Sequence, residues 1–368
     1  MTAARLDDLT GIAARFAERD AAAPDSYPAE NIADVKRSGM LTAPFPERAG
    51  GAGASLLDAT RMTEIVAKQS PATALMLSMP LGLACVYAMP VECVPEQHRA
   101  RWNEQVDAVA AEFRAGKWYA ACNSEKGAGG SLAATKTVAR LDGGTWRVSG
   151  DKILATAGKY ADYFFSSAKV TQDDLPGAGI VEMFYVRTVA PGVAIAEDWN
   201  GFGMRSTESQ SVRYEDAPAE GYLGYPDFLE SVAPFAVWYC LFPAVSLGCA
   251  ASMLEQIATP APQSPALRLR LAEAQMRIEA MRAYLHETAA MRGESREPRS
   301  LTMRVIRAKT YVTQESTRLC ADLFALSGGR HYVGGGALAR ALADSFAGTA
   351  LRPPLPLALD QMTENFTL

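Results

Sequence analysis

This chain of 368 residues is poor in the side chains that build metal sites and disulfide frameworks. It has three histidines and six cysteines, and no two cysteines stand in a CxxC pair. Zinc sites need clustered thiolates and imidazoles, so we expect no metal site. The scattered thiols predict buried free cysteines instead.

Long runs of one charge are also missing. The 36 basic and 41 acidic side chains give a formal net charge of −5. A nucleic-acid-binding protein would need a basic face to release counterions from phosphate, so we expect no nucleic-acid partner. Segment 1–20 has no apolar stretch typical of a secretory signal, and the apolar segment 72–90 is interrupted by Ser78, Pro80 and Gly82. We therefore expect a cytoplasmic protein without a membrane span.

The residue pattern changes twice along the chain. Up to residue 116 apolar residues recur at helical spacing. Strand-like segments then follow at 118–125, 135–142, 145–154, 163–170 and 181–189, and a DGG turn at 142–144 joins two of them. Helical patterns return at 228–257, 266–291 and 301–326. The sequence thus predicts an α+β protein of three domains: N-terminal helices (1–116), an antiparallel β-barrel or sandwich (117–226) and a four-helix-bundle-like domain (227–368).

One glycine-rich segment is suited to close contact with a ligand. GAGG at 127–130 carries almost no side chains, so a planar ring or a pyrophosphate can approach its backbone N–H groups. The same residues also suit a plain tight turn between strands. They do not form a GxGxxG dinucleotide motif, because Leu132 stands at its last position and no helix is predicted to follow.

Five segments resemble, in order and spacing, the acyl-CoA dehydrogenase family over nearly the whole chain. They are the turn and helix at 39–75, CNSEKGAGGS at 122–131, WRVSGDKILATAGKYADYFF at 146–165, FGMRSTESQSVRYEDAP at 202–218 and SGGRHY at 327–332. The resemblance implies a flavoprotein oxidoreductase that binds FAD and acts on a small molecule, either free or linked to CoA or a carrier. It also implies a homodimer or homotetramer.

The resemblance places the flavin between the loop at 122–131 and the strand pair at 146–165. Thr156 matches a hydroxyl beside the flavin N5 edge, and Leu154 stands where the family has an aromatic side chain over the isoalloxazine. Leucine keeps an apolar wall but loses the stacking contribution. The matching flavin-binding positions are Cys122, Asn123, Ser124, Gly129, Gly130, Leu154 and Thr156.

The dehydrogenases of this family use a glutamate base, and the chain has no carboxylate at the matching positions. Gly335 and Trp238 stand at the family's two base positions, and Tyr239 stands where an arginine usually helps to hold CoA. The stretch that contacts the FAD pyrophosphate of a neighbouring subunit is also replaced. The cations available to substitute for it are Arg268, Arg270 and Arg352.

Three interpretations stay open at this point. The first is an acyl-CoA dehydrogenase-like enzyme that acts on an acyl thioester or related substrate and whose base comes from another position. The second is a flavin-dependent monooxygenase on the same fold, which receives reduced FMN or FAD from a reductase and needs no α-proton base. The third is a catalytically silent partner or scaffold subunit. His331, the histidine of the 327–332 loop, is either a solvated residue or a catalytic one.

Overall fold

Helices build the first part of the chain in the computed structural model, which describes residues 3–172, 179–333 and 335–364. Ser55 caps α3 by accepting the N–H of Asp58, whose carboxylate accepts the N–H of Ser55 in return. Ser70 caps α4, and Pro71 follows it at a position where a missing N–H costs no helical hydrogen bond. The helices are α1 (Ala3–Ala22), α2 (Ala29–Arg37), α3 (Leu56–Gln69), α4 (Pro71–Tyr87) and α5 (Arg99–Arg114).

The middle of the chain forms a closed β-barrel. Its strands are β1 (Tyr119–Ala121), β2 (Val138–Asp142), β3 (Thr145–Ala155), β4 (Tyr163–Val170), β5 (Val181–Arg187), β6 (Val193–Ile195) and β7 (Gln210–Tyr222). Antiparallel pairs run from β2 through β3, β7 and β5 to β4, and a parallel β4–β2 pair closes the ring. The expectation of wholly antiparallel pairing is therefore corrected at β4, which also pairs in parallel with β1. Strands β1 and β2, the parallel partners of β4, are joined to it by long crossover connections, because a tight hairpin can join only antiparallel strands.

Two local features of the barrel show what the residue pattern captures. The predicted turn between β2 and β3 is confirmed, with Gly143 and Gly144 at φ +54° and +85°, values that favour glycine. The pattern does not predict β7, although this strand has 13 residues. It contains Pro218 and several charged residues, which hide its alternation of buried and exposed positions.

The last part of the chain is a bundle of helices. The single helix expected over 228–257 is wrong, because α6 ends at Val232 and α7 begins at Phe235. Pro234 disfavours helical backbone at the residue before it, and Ala233 adopts φ +51°. The helices expected at 266–291 and 301–326 are confirmed as α8 and α9. The helices are α6 (Phe228–Val232), α7 (Phe235–Ala258), α8 (Pro265–Glu294), α9 (Thr302–Leu326), α10 (Ala337–Ser345), α11 (Ala347–Ala350) and α12 (Leu355–Glu364).

Helix α7 connects the two helical parts. It packs on α3 and α4 on one side and on α8 and α9 on the other. Among the described residues α7 is the helix that is long and apolar enough to cross a membrane, and 83% of its apolar window is buried inside the protein. The Trp238 indole N–H donates to the carbonyl of Met79 on α4 at 3.1 Å. This contact fixes one wall of the cavity described below.

Candidate active site

A cavity of about 280 Å³ lies where the barrel, α4, α7 and the C-terminal segment meet. Its barrel wall includes Asn123, Ser124 and Thr156, and its helical wall includes Met79 and Trp238. Apolar side chains make up most of the lining. The aromatic residues among them are Phe165, Trp199, Phe202, Phe235, Trp238, Tyr239, Phe242 and Phe346. A mostly apolar cavity with a few polar groups is the usual form of a small-molecule site.

The strand that carries Leu154 bends to present it to the cavity. The register between β3 and β7 shifts between Lys152 and Ala155, and Leu154 lies inside this irregularity at φ +60°. Met204, another lining residue, is held at φ +52°. Non-glycine residues rarely adopt such backbone, and bulges often redirect a side chain beside a functional site. The local strain therefore supports a functional role for this edge of the barrel.

Three buried hydroxyl groups form a short hydrogen-bonded chain at the barrel wall. Thr156 Oγ1 lies 3.2 Å from Ser209 Oγ, which lies 2.8 Å from Thr207 Oγ1. Thr207 in turn donates to the carbonyl of Met204 at 2.8 Å. The chain can hold and reorient a proton next to whatever occupies the cavity.

The predicted flavin loop rests on a buried ion pair. Lys152 Nζ lies 2.6 Å from Glu125 Oε1, and both side chains are almost fully shielded from solvent. The Glu125 carboxylate also accepts the N–H groups of Lys136 and Thr137 at 2.7 and 3.2 Å. Burial by itself would raise the pKa of Glu125, but Lys152 and these donors outweigh it and hold that pKa below its usual value.

Three of the predicted flavin positions lie outside the cavity lining. Cys122 is buried behind the wall, where burial raises the pKa of its thiol, so we assign it no reactive role. Gly129 adopts φ +57° with open space around it. Gly130 is covered, because a Cβ atom there would lie 2.5 Å from Pro354 Cδ. The structure brings the other four predicted positions, Asn123, Ser124, Leu154 and Thr156, into one cavity.

Among the described residues that line the cavity, Arg352 is the one with a charged side chain. Its side chain is 9% exposed, and Nη2 donates to the carbonyl of Asn123 at 2.8 Å. Nε and Nη1 have no hydrogen-bond partner. Burial lowers the pKa of the guanidinium. The sequence identifies Arg352 only as a spare cation, whereas the two other cations considered with it, Arg268 and Arg270, lie exposed on α8.

A buried lysine holds the segment around Arg352. Lys309 on α9 donates to the carbonyls of Leu351 and Pro353, at 2.8 Å in both cases. Its side chain is 1% exposed, and burial lowers its pKa to about 7. No sequence motif points to Lys309, because its partners are carbonyls more than forty residues away.

The two positions predicted to match the family's base lie in different places. Trp238 forms part of the cavity wall. Gly335 is exposed and is absent from the lining, where Ala343, Phe346 and Ala347 represent the C-terminal region instead. Among the described residues that line the cavity, none is Asp, Glu or His. The described lining thus has one cation, and neither a carboxylate nor an imidazole to act as a general base.

His331, the histidine considered as a catalytic candidate, lies at a neighbouring cavity of about 650 Å³, whose lining also includes Arg340 and Asp344. Asp344 accepts the N–H of Met204 at 2.6 Å, which ties α10 to the barrel. Burial raises the pKa of Asp344 to about 6. Its carboxylate supports the wall of the first cavity from behind.

Three family models match successive parts of the chain. The acyl-CoA dehydrogenase N-terminal domain matches residues 10–106, the middle domain 120–217 and the C-terminal domain 242–351. A probable acyl-CoA dehydrogenase of Bacillus subtilis is 24% identical over 323 residues, which cover 83% of this chain and 81% of that protein.

Solved structures share the fold. KijD3, in complex with FMN and dTDP-3-amino-2,3,6-trideoxy-4-keto-3-methyl-D-glucose, superposes with a TM-score of 0.84 at 23% identity, covering 98% of this chain and 92% of that one. The dibenzothiophene monooxygenase TdsC of Paenibacillus sp. A11-2 has a TM-score of 0.81 at 20% identity, covering 98% and 96%.

Proposed function

We propose that this chain, which belongs to the acyl-CoA dehydrogenase family, is a flavin-dependent monooxygenase that acts on a small, largely apolar substrate. The observation that carries the proposal is the lining of the cavity, which has aromatic walls, one cation and no carboxylate among its described residues. Dehydrogenation of an acyl thioester requires a base within hydrogen-bond reach of the α-proton. Oxygenation by a reduced flavin needs no such base, and the largely apolar, aromatic lining suits an apolar substrate.

The residues present fit a flavin ring. Ser124 and Thr156 offer hydroxyl groups on the barrel side, and Leu154 offers an apolar surface. In the loop that would hold a pyrophosphate, Pro354 packs on Gly130 while Gly129 has open space around it, and FMN, the flavin of the KijD3 complex, is the form that we propose. Bound in reduced form, the flavin supplies the electrons that activate dioxygen.

The chain's own residues position the reactants. The rings of Phe165 and Trp238 pack at a tilted angle with their centroids 5.5 Å apart, and this contact joins the barrel wall to the helical wall of the cavity. The hydroxyl chain from Thr156 to Ser209 and Thr207 can hold a proton at the barrel wall. Both roles depend on rigid elements, which is what orientation in an active site requires.

Acyl-CoA dehydrogenation is the second candidate. The match of all three domain models and the length of the match to the Bacillus protein favour it. The apolar cavity also suits an acyl chain. This alternative needs a base from outside the described lining.

Location and assembly are further parts of the proposal. We expect the protein to be cytoplasmic and, as the resemblance implies, to form a homodimer or a homotetramer. Light scattering coupled to size-exclusion chromatography measures the assembly directly, and a monomer at all concentrations would contradict it.

The function is tested by two assays on the full chain loaded with FMN. In the first, a flavin reductase and NADH supply reduced FMN under ¹⁸O₂ with indole as the probe substrate. We expect protein-dependent ¹⁸O in the product, detected by mass spectrometry. In the second, butyryl-CoA is titrated under anaerobic conditions. Bleaching of the flavin without ¹⁸O incorporation would establish the dehydrogenase instead, and failure of both assays would support the silent-subunit interpretation.

A further inference from the structure

Arg352 is a buried cation that lacks the partner a buried cation requires. Only its Nη2 forms a hydrogen bond, to the carbonyl of Asn123, while Nε and Nη1 have none. A guanidinium has five N–H donors, and a buried ion without a counter-ion is costly unless a bound group completes it. Glu125 acts on Arg352 electrostatically, but its carboxylate is already engaged by Lys152 and two backbone N–H groups.

The rest of the cavity provides no counter-charge. Apart from Arg352, the described lining consists of apolar, aromatic, hydroxyl, amide and glycine residues. Tyr239, whose phenol acts on Arg352 electrostatically, is neutral, because burial raises its pKa to about 12. A ligand that fills this chamber well therefore combines an apolar body with a single anionic group.

The position of Arg352 is fixed from behind rather than by a side-chain partner. Lys309 binds the carbonyls immediately before and after it in sequence, those of Leu351 and Pro353. The backbone on both sides of the arginine is thus anchored to α9. This anchoring acts through the backbone, so the N–H groups at Nε and Nη1 of Arg352 stay available to a ligand.

We infer that Arg352 binds an oxyanion of the ligand in this cavity. The inference rests on the proposed function and specifies its ligand as a flat apolar molecule with a conjugated anionic oxygen. Two sources can supply this chemistry. One is the carboxylate of an aromatic acid that serves as the substrate, and the other is the N1–C2 carbonyl edge of the reduced flavin.

The test measures binding by calorimetry on the full chain, with and without FMN, so it does not depend on turnover. Benzoate is the anionic probe and benzamide is its neutral counterpart. Charge-assisted hydrogen bonds to a buried site support an expected loss of about 10- to 100-fold in benzoate affinity for Arg352→Met. Arg352→Lys keeps the charge but lacks the planar pair of N–H donors. Its benzoate affinity should therefore lie between that of the wild type and that of Arg352→Met.

Arg292→Met is the matched control. Arg292 is also a buried arginine, 4% exposed with an unpartnered Nε, but it lines a different cavity. We expect its benzoate affinity to equal that of the wild type. The melting temperature of ligand-free Arg352→Met should be at least that of the wild type, because the substitution removes an unpaired buried charge.

Titration with oxidised and reduced FMN distinguishes the two sources. If Arg352 faces the flavin, Arg352→Met weakens the binding of reduced FMN more than that of oxidised FMN. The midpoint potential of the bound FMN then falls, because the variant has lost the cation that stabilises the reduced form. If it faces the substrate, only benzoate binding falls. Equal binding of benzoate and benzamide to the wild type, together with unchanged FMN affinities in Arg352→Met, would overturn the inference. If the wild type binds benzoate through Arg352 but incorporates no ¹⁸O, the proposed function is contradicted and the inference about Arg352 is not.

Discussion

Glu125 and Lys152 show how single residues support the site without touching its cavity. The pair is buried under the glycine-rich loop, and Lys152 also donates to the carbonyl of Ser167 at 2.6 Å. The carboxylate accepts two backbone N–H groups as well, so each charge has several partners. A fully engaged pair of this kind gives the loop a fixed position on the barrel.

Replacing Glu125 with glutamine is expected to lower the free energy of unfolding by about 3–5 kcal/mol, because it leaves the Lys152 charge buried and unpaired. Urea unfolding followed by circular dichroism measures the change. Adding Lys152→Met to Glu125→Gln should restore part of the loss. The control is Glu197→Gln, which breaks the exposed pair with Lys159 and should change stability little. Equal effects of Glu125→Gln and Glu197→Gln would contradict the assignment.

Among the elements, the contact between α4 and α7 decides the shape of the cavity. Gly82 lets the Trp238 ring lie directly on α4, since a Cβ atom at Gly82 would come within 2.3 Å of Trp238 Nε1. The indole is a rigid group that is also hydrogen-bonded to Met79. It cannot move aside without shifting a wall of the cavity.

Gly82→Ala should therefore lower stability by about 1–3 kcal/mol, as overpacking of a filled core does. Tryptophan fluorescence of the folded protein should shift at the same time. Gly11→Ala provides the control, because Gly11 lies in α1 with nothing within 4 Å of its Cβ position. That change should stabilise the protein by about 0.5–1 kcal/mol through helix propensity. A stabilising Gly82→Ala would show that the two helices are not tightly packed.

Helices and hairpins were the elements that the sequence could predict. Periodic apolar residues locate α8 and α9, and paired glycines locate the turn after Asp142. The break before α7 could have been found from Pro234 alone. Strand β7 could not be predicted, because charged surface residues mask its alternation of buried and exposed positions. The parallel pairs of β4 could not be predicted either, because contacts between distant parts of the chain determine them.

At the scale of the whole molecule, the site combines parts that are distant in sequence. Resemblance to a family identifies Asn123, Ser124, Leu154 and Thr156, which lie within one domain. It cannot place Arg352, whose partner Asn123 is 229 residues away, or the helix that clamps it. Contacts of this kind depend on how the barrel docks on the bundle, which no local pattern encodes.

Stability should depend on pH through Lys309. Its pKa is about 7 in the folded protein, against 10.5 for an ordinary lysine, so the unfolded chain binds more protons between these values. The cost of burying this charge is complete below about pH 7 and disappears as the pH rises toward 10.5. Relative to Lys309→Met, the wild type should gain up to about 1.4 kcal/mol per pH unit in that window. Urea unfolding of both proteins at several pH values measures the difference, and a constant difference would contradict the prediction.

One wall of the chamber comes from a single short stretch of chain. Ala343 lies on α10, Ala347 and Ala350 lie on α11, and Phe346 lies between the two helices, while the barrel supplies the opposite wall. Three of these four side chains are methyl groups, so their replacement by larger residues changes the volume and shape of the chamber without entering the barrel. Under the proposed function, point substitutions in this one segment would change substrate preference while the barrel wall, which we propose contacts the flavin, stays constant.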